Sequence, residues 1–194
     1  GAALAVPDAV RQATLQPPAP IQSRQLAPGI WLLPGPYNSM AVEFKNYAVV
    51  LEAPNDEARG FALIAETRRL IPGKPIRYVV NTHHHFDHSG GLRAFGVEDS
   101  IVITHESNFN YYAGVVYDLR PRTLEPDPLS LAPRQVHYVL VNESYTLTDG
   151  DQTMTVYHMD ALEHAADMLV AWFPKAKILF QADMFDPPPA GQPA

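Results

Sequence analysis

Short apolar runs separated by proline and glycine set the pattern along this chain. Ile30–Leu33 and Tyr47–Leu51 are apolar runs of strand length. Apolar residues then recur at helical spacing from Ala58 to Ile71, where Pro72-Gly73 ends the segment. Ile76–Val80 follows as a run rich in β-branched residues. This strand–helix–strand order predicts an α/β fold in which a helix packs on a sheet.

The second half continues the alternation of strands and turns. Ile101–Ile103 is predicted to be a strand and Glu106–Tyr112 a helix, whereas prolines scattered between residues 118 and 135 predict an irregular loop. Four more strands are predicted, at Val136–Val141, Thr153–His158, Met168–Phe173 and Lys177–Phe180.

Proline-rich ends flank this patterned region. Residues 1–25 contain Pro7, Pro17, Pro18 and Pro20, which predicts an N-terminal arm, and residues 187–194 form a proline-rich tail. Residues 26–186 are then assigned to one domain, which suits a chain of 194 residues.

Composition narrows the classes of partner and ligand. The net charge is −7 and the 14 Lys and Arg residues form no dense cluster, so no nucleic-acid partner is expected. The longest apolar runs are too short to span a bilayer, so no membrane partner is expected either. The chain has no cysteine, so histidine and carboxylate must hold any metal. No secretory leader opens the sequence, which leaves the compartment open between cytoplasm and periplasm or exterior.

A cluster of histidines follows the predicted strand Ile76–Val80 directly. His83, His85 and His88 lie within six positions, together with His84 and Asp87. Residues at positions i and i+2 leaving a strand project to one side, so His83 and His85 can bind one ion together. Asp87 and His88 come just after them and can turn toward a second ion. The cluster therefore predicts a metal site on the loop that follows a rigid strand.

A catalytic zinc site needs a third protein ligand from elsewhere in the chain. The histidines that remain as candidates are His105, His137, His158 and His164, of which His164 lies in a loop between two predicted strands. Asp183 directly follows an apolar strand, and a carboxylate there can bridge two metals through its two oxygens.

The segment Tyr78–Leu92 contains the pattern H-x-H-x-D-H, preceded by an apolar strand and followed by Ser-Gly-Gly. In this it resembles the metallo-β-lactamase superfamily, and the similarity extends from about Ile30 to Asp183. The resemblance implies a four-layer αβ/βα sandwich with a two-metal site at the edges of its sheets.

The resemblance also implies a set of ligands. These are His83, His85 and His164 for the first ion, Asp87 and His88 for the second, and Asp183 as the bridging carboxylate, with His84 left outside the set. In such enzymes a metal-bound hydroxide attacks the substrate, and Asp87 is the expected catalytic residue that orients the attacking water. Two zinc ions are expected as cofactors, with iron or manganese as the alternatives.

The chain departs from the family pattern in three places. The third histidine follows Glu163 and the bridging aspartate follows Ala182, where the family usually has glycine. No histidine follows Asp183 to complete the second metal position. These departures predict a chain truncated at its C-terminus, a weaker second metal site and an exposed sheet edge through which the protein self-associates.

Three functions remain open at this stage. The first is a hydrolase of a small-molecule ester, thioester, lactone, β-lactam or phosphoester. The second is a mononuclear iron dioxygenase of the same fold, and the third is a binding module that keeps the fold without catalysis.

The substrate pocket is expected between loops at Pro34–Phe44 and at residues 105–135. The aromatic and apolar residues there fit either a pocket wall or the core, and they are Tyr37, Met40, Phe44, Phe109, Tyr111 and Tyr112.

Overall fold

The computed structural model describes residues 20–118, 126–160 and 162–185, which form two β-sheets with helices in the connections. The first sheet has seven strands whose spatial order follows the chain: β1 (Arg24–Ala27), β2 (Ile30–Leu33), β3 (Ser39–Glu43), β4 (Ala48–Leu51), β5 (Ile76–Val80), β6 (Ile101–His105) and β7 (Tyr138–Val141). The second sheet has four antiparallel strands, also in chain order: β8 (Ser144–Asp149), β9 (Gln152–His158), β10 (Leu169–Phe173) and β11 (Ile178–Phe180).

The helices are mostly short. They are α1 (Glu57–Leu70), α2 (Phe86–Ser89), α3 (Leu92–Val97), α4 (Phe109–Tyr111) and α5 (Pro128–Leu131). A 3₁₀ turn at Glu106–Asn108 precedes α4, and a π-helical segment at Tyr112–Val116 follows it. Across residues 20–118, 126–160 and 162–185, no helix has the length and apolar character needed to cross a bilayer.

The connection from β4 through α1 to β5 is the parallel crossover that the sequence pattern predicts. Asp56 begins α1, since its side chain accepts a hydrogen bond from the backbone N–H of Arg59 at 2.8 Å. Leu63 and Ile64 of α1 are buried against the sheet. Each such side chain stabilises the fold by roughly 1.5–3 kcal/mol. Capping and burial together fix α1 beside the strand that leads into the histidine cluster.

The first sheet separates two hydrophobic cores. Val49 and Leu51 of β4 face the second sheet and pack with Val156 of β9, whereas Val50 faces the helices and packs with Phe95 of α3. Strand β4 is therefore buried on both faces, which explains its continuous apolar sequence. The outer face of the second sheet is more open, with Leu179 of the edge strand β11 exposed. Self-association through this edge stays a prediction.

Several predicted elements are confirmed. Strands β2 and β5 have the predicted bounds, and the helix predicted from Ala58 to Ile71 spans Glu57–Leu70. Strand β1 begins at Arg24, at the end of the segment assigned to the N-terminal arm. Most of that arm and the tail at 187–194 lie outside the described residues, so the domain bounds stay predictions.

Other segments differ from the sequence-based expectation. The single helix predicted at Glu106–Tyr112 is divided among 3₁₀, α and π geometry. The irregular loop predicted at 118–135 contains α5, because Asp127 caps it by accepting a hydrogen bond from the Ser130 N–H. The predicted pocket loop at Pro34–Phe44 contains strand β3, because strands pair on both of its sides.

A buried ion pair ties α3, directly after the histidine cluster, to the connection between β6 and β7. Arg93 donates from Nε and Nη2 to the two carboxylate oxygens of Asp127 at 2.9 and 2.8 Å, and from Nη1 to the carbonyl of Val116 at 2.7 Å. Both side chains are buried. Removing one partner would leave a charge buried without compensation.

Asp127→Asn should therefore lower the free energy of unfolding by about 3–5 kcal/mol, measured by urea denaturation. Glu98→Gln is the matched control, because it removes a carboxylate whose partner, Arg68, is largely exposed. That control should cost less than about 1 kcal/mol. Equal losses in the two variants would contradict the role of the Arg93–Asp127 pair.

Candidate metal centre

The histidine cluster makes a tight turn directly after β5. His83 is fully buried, and His85 has extended backbone at the start of α2, which turns Asp87 and His88 back toward it. The hydroxyl of Ser89 donates to the carbonyls of both His84 and His85 at 3.0 Å, which closes the turn. A Cβ at the following residue, Gly90, would lie 2.0 Å from a backbone oxygen, so the turn requires glycine there.

Four ligand atoms converge beside this turn. Nδ1 of His85 lies 3.1 Å from Nε2 of His83 and 3.1 Å from Nε2 of His164. Oδ2 of Asp183 lies 3.3 Å from the same His164 nitrogen and 3.7 Å from that of His83. The structure thus brings His83 and His85 together with two residues from elsewhere in the chain. These are His164, in the β9–β10 loop, and Asp183, which follows β11.

The spacing of these atoms fits a tetrahedral metal site. Zinc–nitrogen bonds of about 2.0–2.1 Å at tetrahedral angles place neighbouring ligand atoms about 3.3 Å apart. Four of the six separations are 3.1 to 3.7 Å and bracket that value, and all the atoms lie within 4.8 Å of one another. The donor set of three imidazoles and one carboxylate also suits zinc, iron or manganese. These residues therefore fit a divalent metal ion.

A second group shares one atom with the first. Nε2 of His88 lies 3.0 Å from Oδ2 of Asp183 and 3.8 Å from Oδ2 of Asp87. That nitrogen is buried, and among the described residues no contact to it, including the one with Asp183, has hydrogen-bond geometry. A buried ring nitrogen without a hydrogen-bond partner, facing two carboxylates, is the environment that a second cation would satisfy. The shared Oδ2 gives Asp183 the bridging position.

Glu52 orients His88 and was missed by the sequence analysis. Its carboxylate is fully buried, with Oε2 2.6 Å from Nδ1 of His88 and Oε1 accepting from the backbone N–H of Thr82 at 2.7 Å. A carboxylate that holds one nitrogen of a metal-binding histidine fixes the ring and directs the other nitrogen to the metal position. The available signal was a lone carboxylate at the end of β4, the parallel neighbour of the strand that carries the histidines.

The pKa values of His83 and His88 shift in opposite directions. Burial, followed by the neighbouring His88 and His85, lowers the pKa of His83 to about 4, so this ring is neutral near pH 7. For His88, burial acts to lower the pKa, but Glu52 and the other nearby carboxylates raise it by more. Burial raises the pKa of Glu52 as well. Metal binding at His88 would therefore release a proton from Nε2, whereas Nδ1 stays paired with Glu52.

Two carboxylates of the site have left-handed backbone. Glu52 has a φ of 67° and Asp183 a φ of 58°. Non-glycine residues held in this region cost on the order of 1–3 kcal/mol each, and they cluster at functional sites. Asn55, Asp99 and Lys177 also have positive φ, so this backbone conformation is not peculiar to the site.

Comparison with known proteins agrees with this geometry. The family model of the metallo-β-lactamase superfamily matches residues 32–192. The chain belongs to the metallo-β-lactamase superfamily. The predicted membership and fold class, an αβ/βα sandwich, are thereby confirmed. No curated protein matches the chain.

Solved structures share the fold at low identity. A metallo-β-lactamase from Cronobacter sakazakii is 19% identical with a TM-score of 0.58, over 78% of this chain and 57% of that one. One from Pontibacter korlensis is 21% identical with a TM-score of 0.61, over 83% and 70%. A flavoprotein from Thermotoga maritima is 16% identical with a TM-score of 0.61, over 84% and 41%. The chain thus spans a little over half the length of the Cronobacter protein.

His84 lies outside both groups of ligand atoms, as predicted for this superfamily member. The buried Asp167 holds it, accepting from its backbone N–H at 2.8 Å and lying 3.0 Å from its Nδ1. Asn108 donates to the same carboxylate at 2.7 Å. Asp167 therefore joins the histidine turn to the loop that carries His164, a role that no sequence pattern indicated.

The remaining candidate ligands also lie apart from the converging atoms. His158 and His105 stack on one another with ring centroids 3.9 Å apart. Nε2 of His158 is 2.8 Å from the carbonyl of Ala166, so this ring is engaged in local packing. His137 is exposed on the segment that leads into β7. Of the four candidates, the structure brings only His164 to the cluster.

The cluster is open on one side. His83 and His88 are buried, whereas His164 and Asp87 are each about 41% exposed. Of the residues considered for the pocket wall, Met40, Phe44 and Tyr112 are core residues, whereas Tyr111 and Phe109 are partly exposed. A cavity of about 720 Å³ lies at the opposite end of the strands, beside Gly29 and Lys74, and so is remote from this centre.

His164→Ala should abolish tight binding of the first metal equivalent, because it removes one of three converging nitrogens. His158→Ala is the matched control, and its metal content should stay near that of the wild type. Metal per chain, measured by inductively coupled plasma mass spectrometry after dialysis, distinguishes the two. The reverse result would show that the third nitrogen ligand is assigned to the wrong loop.

Proposed function

We propose that this chain is the catalytic part of a metal-dependent hydrolase that holds two zinc ions and cleaves a small-molecule ester, thioester, lactone or β-lactam. One observation carries the proposal: Oδ2 of Asp183 belongs both to the tetrahedral group of His83, His85 and His164 and to the group of Asp87 and His88. Two cation positions that share a carboxylate are the arrangement of two-metal hydrolases.

Bound zinc would lower the pKa of a water molecule toward about 7 and polarise the scissile carbonyl. The chain's residues divide the remaining work. His83, His85 and His164 would hold the first ion, and His88 the second, with Glu52 fixing the ring of His88. Burial of His83 and His88 keeps these ligands rigid, and the open side of the site, at His164 and Asp87, admits the substrate.

Asp87 is the proposed catalytic residue. Its side chain is partly exposed at the open side, and it lies at the edge of the second group, 3.8 Å from His88 Nε2. A nearby Tyr37 hydroxyl, followed by the charge of His88, lowers the pKa of the Asp87 carboxyl, which outweighs the opposing effect of burial. The ionised carboxylate accepts a hydrogen bond from the attacking water and directs it at the carbonyl carbon.

The second group of ligands supports a hydrolase over a mononuclear iron dioxygenase. A single ion would use the four converging atoms, whereas His88 Nε2 faces Asp183 and Asp87 in a second group that a single ion would leave unused. The absence of cysteine further argues against the β-lactamase subclasses that place a thiolate on the second metal. The likeness to the Thermotoga flavoprotein supports only the fold.

Metal analysis combined with a substrate panel tests this function. The purified protein should contain zinc and should hydrolyse at least one of an ester, a thioester, a lactone and a chromogenic β-lactam. Chelation should remove the activity, and zinc should restore it. Asp87→Asn should lower kcat about 10²- to 10⁴-fold. Asp160→Asn, at an exposed carboxylate, is the control and should leave kcat unchanged.

Two outcomes would contradict the proposal. Bound iron together with oxygen uptake would indicate the dioxygenase instead. A protein that binds no metal after incubation with zinc, iron or manganese would indicate a binding module.

A further inference from the structure

The cavity of about 720 Å³ at the end of the strands opposite the metal centre lies between turns of both sheets. The β1–β2 and β3–β4 turns line it from the first sheet, and the β8–β9 and β10–β11 turns line it from the second. A volume of this size suits a small-molecule ligand. None of its lining residues belongs to the metal centre, so a ligand here would occupy a separate site.

Hydrogen bonds hold the walls of this cavity in place. Asn46, in the β3–β4 turn, donates from its backbone N–H and its side-chain amide to the two carboxylate oxygens of Asp149 at 2.8 and 3.0 Å. This contact ties the turn to the end of β8 in the other sheet. Lys74, just before β5, donates to the carboxylate of Glu43 at 2.8 Å and to the carbonyl of Phe44 at 2.6 Å. The cavity is therefore formed before any ligand enters.

The lysines of the chain are concentrated at this cavity. The whole sequence has four, and three of them line it: Lys45, Lys74 and Lys175, with Lys177 outside. Lys74 is occupied by Glu43, but Lys45 and Lys175 are exposed and form no ion pair with any residue that the structure describes. Two lysines on turns of different sheets are thus available to an anion.

The rest of the lining adds a hydrogen-bond donor and an apolar surface. Nε2 of Gln152 is buried and has no hydrogen-bond partner within the described part of the chain, so an acceptor on a ligand would satisfy it. Ala27, Pro28 and Ala176 contribute apolar area. Asp151 is the second carboxylate of the lining after the one that Lys74 holds, so three lysines face two carboxylates. The lining is positively charged in a chain of net charge −7.

We propose that this cavity binds a small organic anion. A carboxylate or phosphate group of the ligand is bound by Lys45 and Lys175 and accepts a hydrogen bond from Gln152, and an apolar body packs on the alanine and proline side chains. The site goes beyond the proposed hydrolase function and does not depend on it, because it shares no residue with the metal centre.

Titration of the purified protein with two probes, phenylphosphonate and phenylacetate, tests this site by ¹H–¹⁵N correlation NMR. The probes carry the two anionic groups on the same apolar ring. At least one of them should shift the amide signals of Gly29 and Gly150, and the shift should saturate below about 10 mM. Benzyl alcohol, the neutral analogue, should shift neither signal at these concentrations. Shifts at Gly90 and Gly91 report separately on a probe that reaches the metal centre.

Two variants compare the lysines inside and outside the cavity. The double variant Lys45→Gln/Lys175→Gln should bind the probe about 10-fold more weakly, because both unpaired charges are removed. Lys177→Gln is the matched control, since it removes the exposed lysine outside the cavity, and it should bind as the wild type does.

Three results would overturn the anion site. They are no saturating shift at Gly29 and Gly150 with either probe, equal shifts with benzyl alcohol, and equal affinity in the double variant and the wild type. A protein without metal or hydrolase activity that still binds the probe through Lys45 and Lys175 would contradict the proposed function and leave this inference standing.

Discussion

Three imidazole nitrogens and a carboxylate oxygen lie within 4.8 Å of one another at the edge of two sheets, and four of their separations are 3.1 to 3.7 Å. Neutral imidazoles that turn lone pairs toward a common point repel one another, and a cation at that point reverses the sign of the interaction. The arrangement therefore depends on a scaffold rigid enough to hold the atoms together. Both sheets contribute, since His83 and His85 follow the first sheet and Asp183 follows the second.

The scaffold supplies that rigidity through contacts between the loops. The backbone N–H of Leu169 donates to the carbonyl of Thr82 at 2.8 Å, which joins β10 to the start of the histidine turn. Asp167 makes a second link between the same loops through His84. Glu52 adds a third, from β4 to His88. Each link ends on a candidate metal ligand or on the residue next to one. The packed sheets therefore hold the ligand side chains in fixed positions.

The sequence predicted what depends on short-range pattern. The buried strand Ile76–Val80, the histidines after it and the pairing of His83 with His85 follow from local spacing. His164 and Asp183 were assigned by resemblance to the superfamily, because no spacing in the chain shows that these loops meet the histidine turn. Glu52 and Asp167 act through contacts between distant segments, which explains why the pattern did not show their roles. Strand β3 was missed because its apolar residues, Met40 to Val42, form too short a run to predict a strand, and its pairing on both sides is not visible in the sequence.

The central claim is that these side chains form one shared metal centre. Anomalous diffraction from crystals of the protein grown with zinc measures this most directly. The account predicts one peak about 2.0–2.1 Å from Nε2 of His83, Nδ1 of His85 and Nε2 of His164. It predicts a second peak beside His88 and Asp87, with Asp183 between the two. Zinc bound instead at His105 and His158, or no peak at the histidine turn, would contradict it.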